Sequence, residues 1–458
     1  MSTSSRRRII TRFIWTRLKV SFGFVPLFMS LGAIVLACLM NWVDLLLPNE
    51  ILQESHFILP GGISEMRAML INISAAILGT AGVVFSLINL PLSAVASQFG
   101  SRLLRVYTAD HTVQFVLGMF AGTFAYCITV AFLLPKDDAS QASPQVSVTF
   151  AIFLMLATIT SLILLIQHIS TMLQAPNIVA AAGAELREVV NAMDFRALWQ
   201  SNDRQSIQQV NNLLPGKESY AICAQHTGYI EYIRLGTILT LARKKNLTIQ
   251  MLCKPGQFVW PGMAVAITWS DKRAERLVER QVRRAFLIGN QRLPTQDFEY
   301  AVNQLVEIAV RAMTSGIRDP FTTLTCLDHL GVGLAQFARQ GEMSHNFYDR
   351  EGQLRFILIP ITFAELLNAS FDMIRRNGRE NARILLHMLK VIEIIDAETK
   401  SPAVQRELAR HVCLIQAESR KSALIEQDLQ LIDLRCEALQ AKFAATSLVE
   451  APSAPAIP

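Results

Sequence analysis

Charged residues become sparse in the chain between residues 22 and 173. Four apolar runs lie there, about 22–47, 68–96, 113–134 and 146–173, and none carries the charged face that a soluble helix of such length would show. About 20 apolar residues in a helix cross the hydrocarbon core of a bilayer. The pattern predicts an α-helical membrane domain, residues 22–173, with four transmembrane helices. The texture changes at Gln174-Ala175-Pro176-Asn177, where Pro176 lacks an amide donor. Residues 174–217 read as an amphipathic helical linker. Residues 218–270 read as a small α+β module, its β-rich runs Ser219–Cys223, Gly228–Ile233 and Leu247–Leu252 set among the turn signals Lys254-Pro255-Gly256 and Trp260-Pro261-Gly262. Helical spacing returns over 271–446, including a helix over 271–288, with one hairpin strand at Phe356–Ile359. The tail, 447–458, is too poor in apolar residues to fold. The fold class is therefore an α-helical membrane domain followed by a cytoplasmic α+β, mostly helical domain.

Charge orients this arrangement. The first nineteen residues hold Arg6, Arg7, Arg8, Arg12, Arg17 and Lys19 and no acid, so 1–21 reads as a cytoplasmic basic tail. The apolar run behind it continues into Asn41-Trp42-Val43-Asp44 without an Ala-x-Ala site, unlike a cleaved signal peptide. Arg102 and Arg105 lie between the second and third runs, where lipid head groups are their natural contacts. The other two loops are sparse in Lys and Arg. Both termini thus fall in the cytoplasm of a multi-pass membrane protein. Seven scattered cysteines without a C-x-x-C pair fit a reducing compartment.

Two membrane segments carry patterns beyond hydropathy. In the second run Asn72, Ala75, Gly79, Gly82, Ser86, Asn89 and Ser93 recur every three or four residues, a stripe of small and polar side chains. Such a stripe either packs against a neighbouring helix or lines a water-filled path, and Pro91 would kink the helix near its cytoplasmic end. In the third run Gly118-x-x-x-Gly122 is a close-packing motif, a seam within the protomer or between protomers. In the soluble part Asp297, Glu307, Arg311, Arg318 and Asp319 are densely charged and, with Gln296 beside them, read either as helix-end chemistry or as an intersubunit or small-ligand network. Asp319-Pro320 has the form of an N-cap followed by a first-turn proline.

The chain has no phosphate-binding G-x-x-x-x-G-K-[ST], no H-E-x-x-H, no G-x-S-x-G and no dinucleotide fingerprint. Its eight histidines are dispersed, so neither a catalytic residue nor a metal site nor a cofactor is predicted. The basic tail is too short an arm to be read as a nucleic-acid binder.

Gly82–Ser86, Ser97–Arg105 and Leu117–Tyr126 form one group of motifs; Gln296-Asp297, Leu305–Ala312 and Gly316–Thr322 form another. Together they resemble the DUF2254 family of predicted bacterial membrane proteins, over about residues 13–420. The family's second motif usually reads R-A-L-S-P-G-I-N-D-P, and this chain departs from it at Met313, Thr314, Ser315 and Arg318. The resemblance implies a location in the bacterial inner membrane and assigns no reaction. The residues themselves favour a homo-oligomeric channel-like or transport protein, its second span nearest the path, with the bilayer, further copies and ions as partners. The alternative is a membrane-anchored scaffold or sensor whose cytoplasmic domain binds a ligand or partner. A membrane enzyme acting on lipid is a weaker third reading.

Overall fold

Each apolar run is a helix. The computed structural model describes residues 23–46, 62–99, 110–135, 145–172, 174–192, 218–270, 276–314, 318–341, 346–349 and 351–449. It divides into two compact units, Met1–Asn177 and Ile178–Pro458.

The first unit contains α1 (Phe24–Leu46), α2 (Ile63–Phe99), α3 (His111–Leu133) and α4 (Gln145–Met172). All four include a stretch long and apolar enough to cross a membrane, which in α2 is Ile63–Ile88. Helix α2 starts earlier than its hydropathy predicts and its helical backbone continues through Pro91. The early start has a local cause. Glu65 accepts the Gly62 amide at 3.4 Å, and Arg67, which reads as a loop charge, sits in the helix with its guanidinium held elsewhere in the unit.

Helix α3 is the hub. It packs on α1, α2 and α4, and its Val116, Phe120, Cys127 and Val130 are buried. All four helices also turn large apolar side chains outward, Phe28 at 70% exposure and Phe153 at 62% among them. An apolar belt of this kind is untenable in water and is what a bilayer solvates.

The second unit begins with α5 (Ala175–Ala192), whose Leu186 side chain lies against Gly333. Its β part is formed by β1 (Glu218–Cys223), β2 (Gly228–Ile233), α6 (Leu235–Lys244), β3 (Thr248–Met251), β4 (Phe258–Val259), β5 (Ala264–Ser270), α7 (Arg276–Arg283) and β6 (Phe286–Gly289). The helices α8 (Phe298–Thr314), α9 (Pro320–Gln340), α10 (Phe363–Gly378), α11 (Ala382–Ala397), α12 (Pro402–Ser419) and α13 (Glu426–Val449) follow, with the hairpin β7 (Asn346–Tyr348) and β8 (Leu354–Ile357) between α9 and α10.

Two sheets result, in the orders β1-β5-β3-β8-β7 and β4-β2-β6. Neighbours are antiparallel except β3 and β8, which run parallel with Ile249 opposite Phe356. The β module therefore does not end at 270. It recruits the later hairpin to one sheet and Phe286–Gly289, expected as the end of a helix, to the other. Phe286 is buried in the module's apolar core with Ile230, Ile249 and Val265, and that burial outweighs the helical spacing of the preceding residues. Residues 193–217, within the expected linker, lie outside the described residues, as do 1–22 and 450–458. Helix α13 continues to Val449, so the expected tail overlaps its last turn.

Candidate functional site

The ends of the membrane helices are tied to one another by polar side chains. At one end of the bundle Asp44, 4% exposed, reaches from the last turn of α1 to the first turn of α4. Its carboxylate accepts the Val146 amide at 2.9 Å, the Ser147 amide at 3.0 Å and the Ser147 hydroxyl. Four amides at a helix start have no partner in the helix, and an acid there also meets the positive end of the helix dipole. Tyr126 donates its hydroxyl to the Ser147 carbonyl at 3.0 Å. At the same end Arg67 donates to the last carbonyls of α3 and the residues after it, Ala131 at 3.3 Å, Leu134 at 2.8 Å and Pro135 at 2.8 Å. At the other end Asp110 caps α3 through the Thr112 and Val113 amides and meets His168 of α4 at 2.9 Å. Midway, the Thr123 and Thr158 hydroxyls bond at 2.8 Å. These partnerships make the direction of the helices alternate, so the start of α1 and the end of α4 fall at one end of the unit.

The Gly118/Gly122 motif lies inside the protomer, between α3 and α1. A Cβ on Gly118 would collide with the Met29 thioether, and one on Gly122 would lie 3.6 Å from Ala33 Cβ and from the Met29 carbonyl. Small residues let these two backbones approach closely.

The α2 stripe behaves differently. The face of α2 that enters the bundle is Met66, Leu70, Ile73, Ile77 and Val84. Asn72, Gly79, Gly82 and Ser86 are exposed on the other faces, and a Cβ on Gly79 or Gly82 would meet nothing within 4 Å. Ser86 satisfies its hydroxyl on the Gly82 carbonyl at 3.2 Å. Asn72 makes no side-chain hydrogen bond among the described residues. The described part of the stripe is thus not a packing seam of its own protomer. The side chains of Asn89 and Ser93, and all of Arg102 and Arg105, lie outside the described residues.

In the second unit the charged set divides between the two ends of α8. Gln296 precedes its start and completes the end of β2, accepting the Ile233 amide at 2.8 Å and donating to the Ile233 carbonyl at 3.2 Å. Asp297, 3% exposed, takes the Tyr300 amide at 3.0 Å and a two-pronged bond from Arg292 at 2.6 and 2.8 Å. The bond to Asp297 lifts the Arg292 guanidinium even further above its ordinary range, against the opposing effect of burial. Glu307 and Arg311 pair at 3.0 Å one turn apart near the other end. Asp319 caps α9 through the Phe321 and Thr322 amides at 3.0 and 3.2 Å, as its sequence predicts. About 21 Å of helix separates Asp297 from Arg311 at 1.5 Å per residue. The five residues are therefore not one network. The two local groups are helix-end and surface chemistry.

Several polar centres were not legible in the pattern. Arg355 and Asp349, 7% and 8% exposed, pair at 2.5 Å, and Arg355 also reaches Asn246, whose positive φ of 49° closes the turn after α6. Glu231 is buried because a register shift between Ile230 and Tyr232 turns it inward, against Gly289. His411 is fully buried, bonded to Asn368 at 2.9 Å and edge-on to Phe371. Burial, with Arg410 adding to it, pushes its imidazole down to about 4. A six-residue spacing or a lone histidine carries no such information. Among the described residues no group of His, Cys, Asp and Glu has the arrangement of a metal site.

Comparison with known proteins agrees with the membrane architecture. An uncharacterised protein of Mycobacterium bovis is 27% identical over 400 residues, covering 86% of this chain and 74% of its own length. An uncharacterised protein of Mycobacterium tuberculosis matches with the same identity and coverage. No solved structure matches the chain. The family model described as "Predicted membrane protein (DUF2254)" matches residues 19–393, and the chain belongs to that family.

Proposed function

We propose that the chain self-associates in the inner membrane as a channel-like or transport protein, with the outward face of α2 lining a shared path. The observation that supports this reading is the exposure of Asn72, Gly79, Gly82 and Ser86 away from their own bundle. A carboxamide facing hydrocarbon leaves its donors and acceptor unsatisfied, a cost of several kcal/mol on alkane-transfer scales of about 4–8 kcal/mol. Water in a path between copies relieves that cost, and glycines give the path width. In this reading both termini and the Ile178–Pro458 unit lie in the cytoplasm, and Arg102 and Arg105 sit at the inner membrane face.

The test is ion flux through liposomes carrying the purified protein. The wild type passes ions, and Asn72→Leu, which adds an apolar ring where chains converge, lowers the flux at least tenfold while the oligomer persists. Phe85→Ala, trimming an exposed side chain beside the stripe, serves as the opened control. Liposomes as tight as empty ones with both proteins, across voltages and ions, end the channel reading.

The second reading, a membrane-anchored scaffold or sensor, draws on the separate apolar core of the Ile178–Pro458 unit. It predicts tight liposomes and a cytoplasmic unit that binds its ligand or partner without the spans.

A further inference from the structure

Helix α13 has two apolar faces, and the chain covers one of them. Ile432, Cys436, Leu439 and Phe443 are buried where α13 packs on α11 and α12. At 100° per residue the opposite side carries Leu431, Leu434, Ala438, Ala441 and Ala445. Leu431 is 50% exposed, Leu434 66%, and the three alanines are exposed. Their spacing of three, four, three and four matches the a/d positions of a coiled-coil seam. A helix that is apolar on both sides is one that has neighbours on both sides.

We propose that the occupant of this face is the same helix of a second copy, in a parallel two-stranded coiled coil. The flanking charges single out that partner and that direction. With Leu431 and Leu434 at positions a and d, Arg435 and Lys442 occupy e, and Gln430 and Glu437 occupy g. In a parallel pair each g residue faces the e residue five positions on in the other strand. Glu437 thereby meets Lys442 of the second copy, and Gln430 meets Arg435. An antiparallel pair would set the basic e positions against one another. Glu437 makes no ion pair among the described residues. Arg435 and Lys442 sit beside Glu393 at 2.5 Å and Asp396 at 2.6 Å, which hold both side chains along the edge of the seam. A lysine has three donors, so Lys442 can serve Asp396 and a second carboxylate together. The alanines permit axes at the close end of the 8–10 Å packing range.

The seam, Leu431 to Ala445, is only about 21 Å long and is weak by itself. Copies already held together in one bilayer meet at high effective concentration, which is the condition under which so short a seam closes. The proposal thus rests on the self-association in the reading above and not on conduction.

The experiment uses the full chain in its membranes, with the exposed Cys38 and Cys413 changed to serine. Leu434→Cys is crosslinked by mild oxidation and compared with Lys390→Cys, an exposed position on α11. The expected dimer yield is at least fivefold above the Lys390→Cys control, and Leu431→Lys added to Leu434→Cys returns it to the control. Equal yields from Leu434→Cys and Lys390→Cys overturn the proposal. Gly79→Cys on α2, run in parallel, separates the two ideas. Crosslinking through Gly79→Cys with silence at Leu434→Cys ends the α13 pairing and leaves membrane self-association standing; silence at both ends both. Unchanged helicity confirms that these exposed substitutions leave the fold intact.

Discussion

Asp44 and Ser147 are more than 100 residues apart, and they close the membrane unit as one hydrogen-bonded pair. The carboxylate caps α4 from the end of α1, doing from a distant helix what a neighbouring serine or aspartate ordinarily does. Removing a cap costs about 0.5–2 kcal/mol. Asp44→Ala should shorten the half-life of the detergent-solubilised protein at elevated temperature, and Asp44→Asn, which keeps an acceptor, should recover most of it. Equal lifetimes for all three proteins would show that the cap contributes nothing.

The glycines of α2 and α3 should respond in opposite ways to the same change. Gly118→Leu drives a side chain into Met29 and forces α1 from α3; overpacking of this kind costs typically about 1–3 kcal/mol. Gly79→Leu enters open space in the protomer. Thermal unfolding should therefore drop for Gly118→Leu and hold for Gly79→Leu, whereas crosslinking between copies should change for Gly79→Leu. A melting loss for Gly79→Leu as large as that for Gly118→Leu would contradict the outward placement of the stripe.

At the start of α8, Asp297 holds Arg292 and fills the space beside Gly256, whose φ is +84°. Asp297→Ala should cost about 3 kcal/mol, the low end for breaking a buried pair, because Arg292 keeps some access to water. Gly256→Ala should cost a comparable amount, since its Cβ both strains the backbone and meets the carboxylate. Denaturant midpoints of the two single variants and the double variant measure this. Because the two residues touch, the effects should fall short of adding.

His411 should make the second unit acid-sensitive. Its pKa is about 4 when folded, against an ordinary value of 6.5, so the unfolded chain binds the extra proton first. Stability from this group is complete above pH 6.5 and drains away as the pH falls toward 4, by up to about 3 kcal/mol. His411→Gln can still donate to Asn368 and does not titrate. It should flatten the pH dependence of the melting temperature between 6.5 and 4, and an unchanged slope would show that other groups set it.

The spans were legible because hydropathy is local: twenty apolar residues report their solvent whatever they pack against. The N-cap at Asp319 and the turn signals around Pro255 and Pro261 were legible for the same reason. The direction in which Asn72 and Gly79 point was not, because a seam and an outward face share one spacing. Nor could α8 reveal which of its charges meet, since Asp297 finds Arg292 and not Arg311. The strand at Phe286–Gly289 escaped notice because tertiary burial, not its own residues, makes it β.

The parallel pairing of β3 with β8 has a consequence for synthesis. Ile249 faces Phe356, so 107 residues separate a strand from the neighbour that covers its edge. At about 5–20 residues per second, the ribosome leaves that edge bare for roughly 5–20 s. Throughout that interval β3 presents unpaired amides and carbonyls, a template for any extended chain nearby. The nascent protein thus passes through a vulnerable window that ends only when β8 emerges, and a pause in translation between residues 251 and 354 would prolong it.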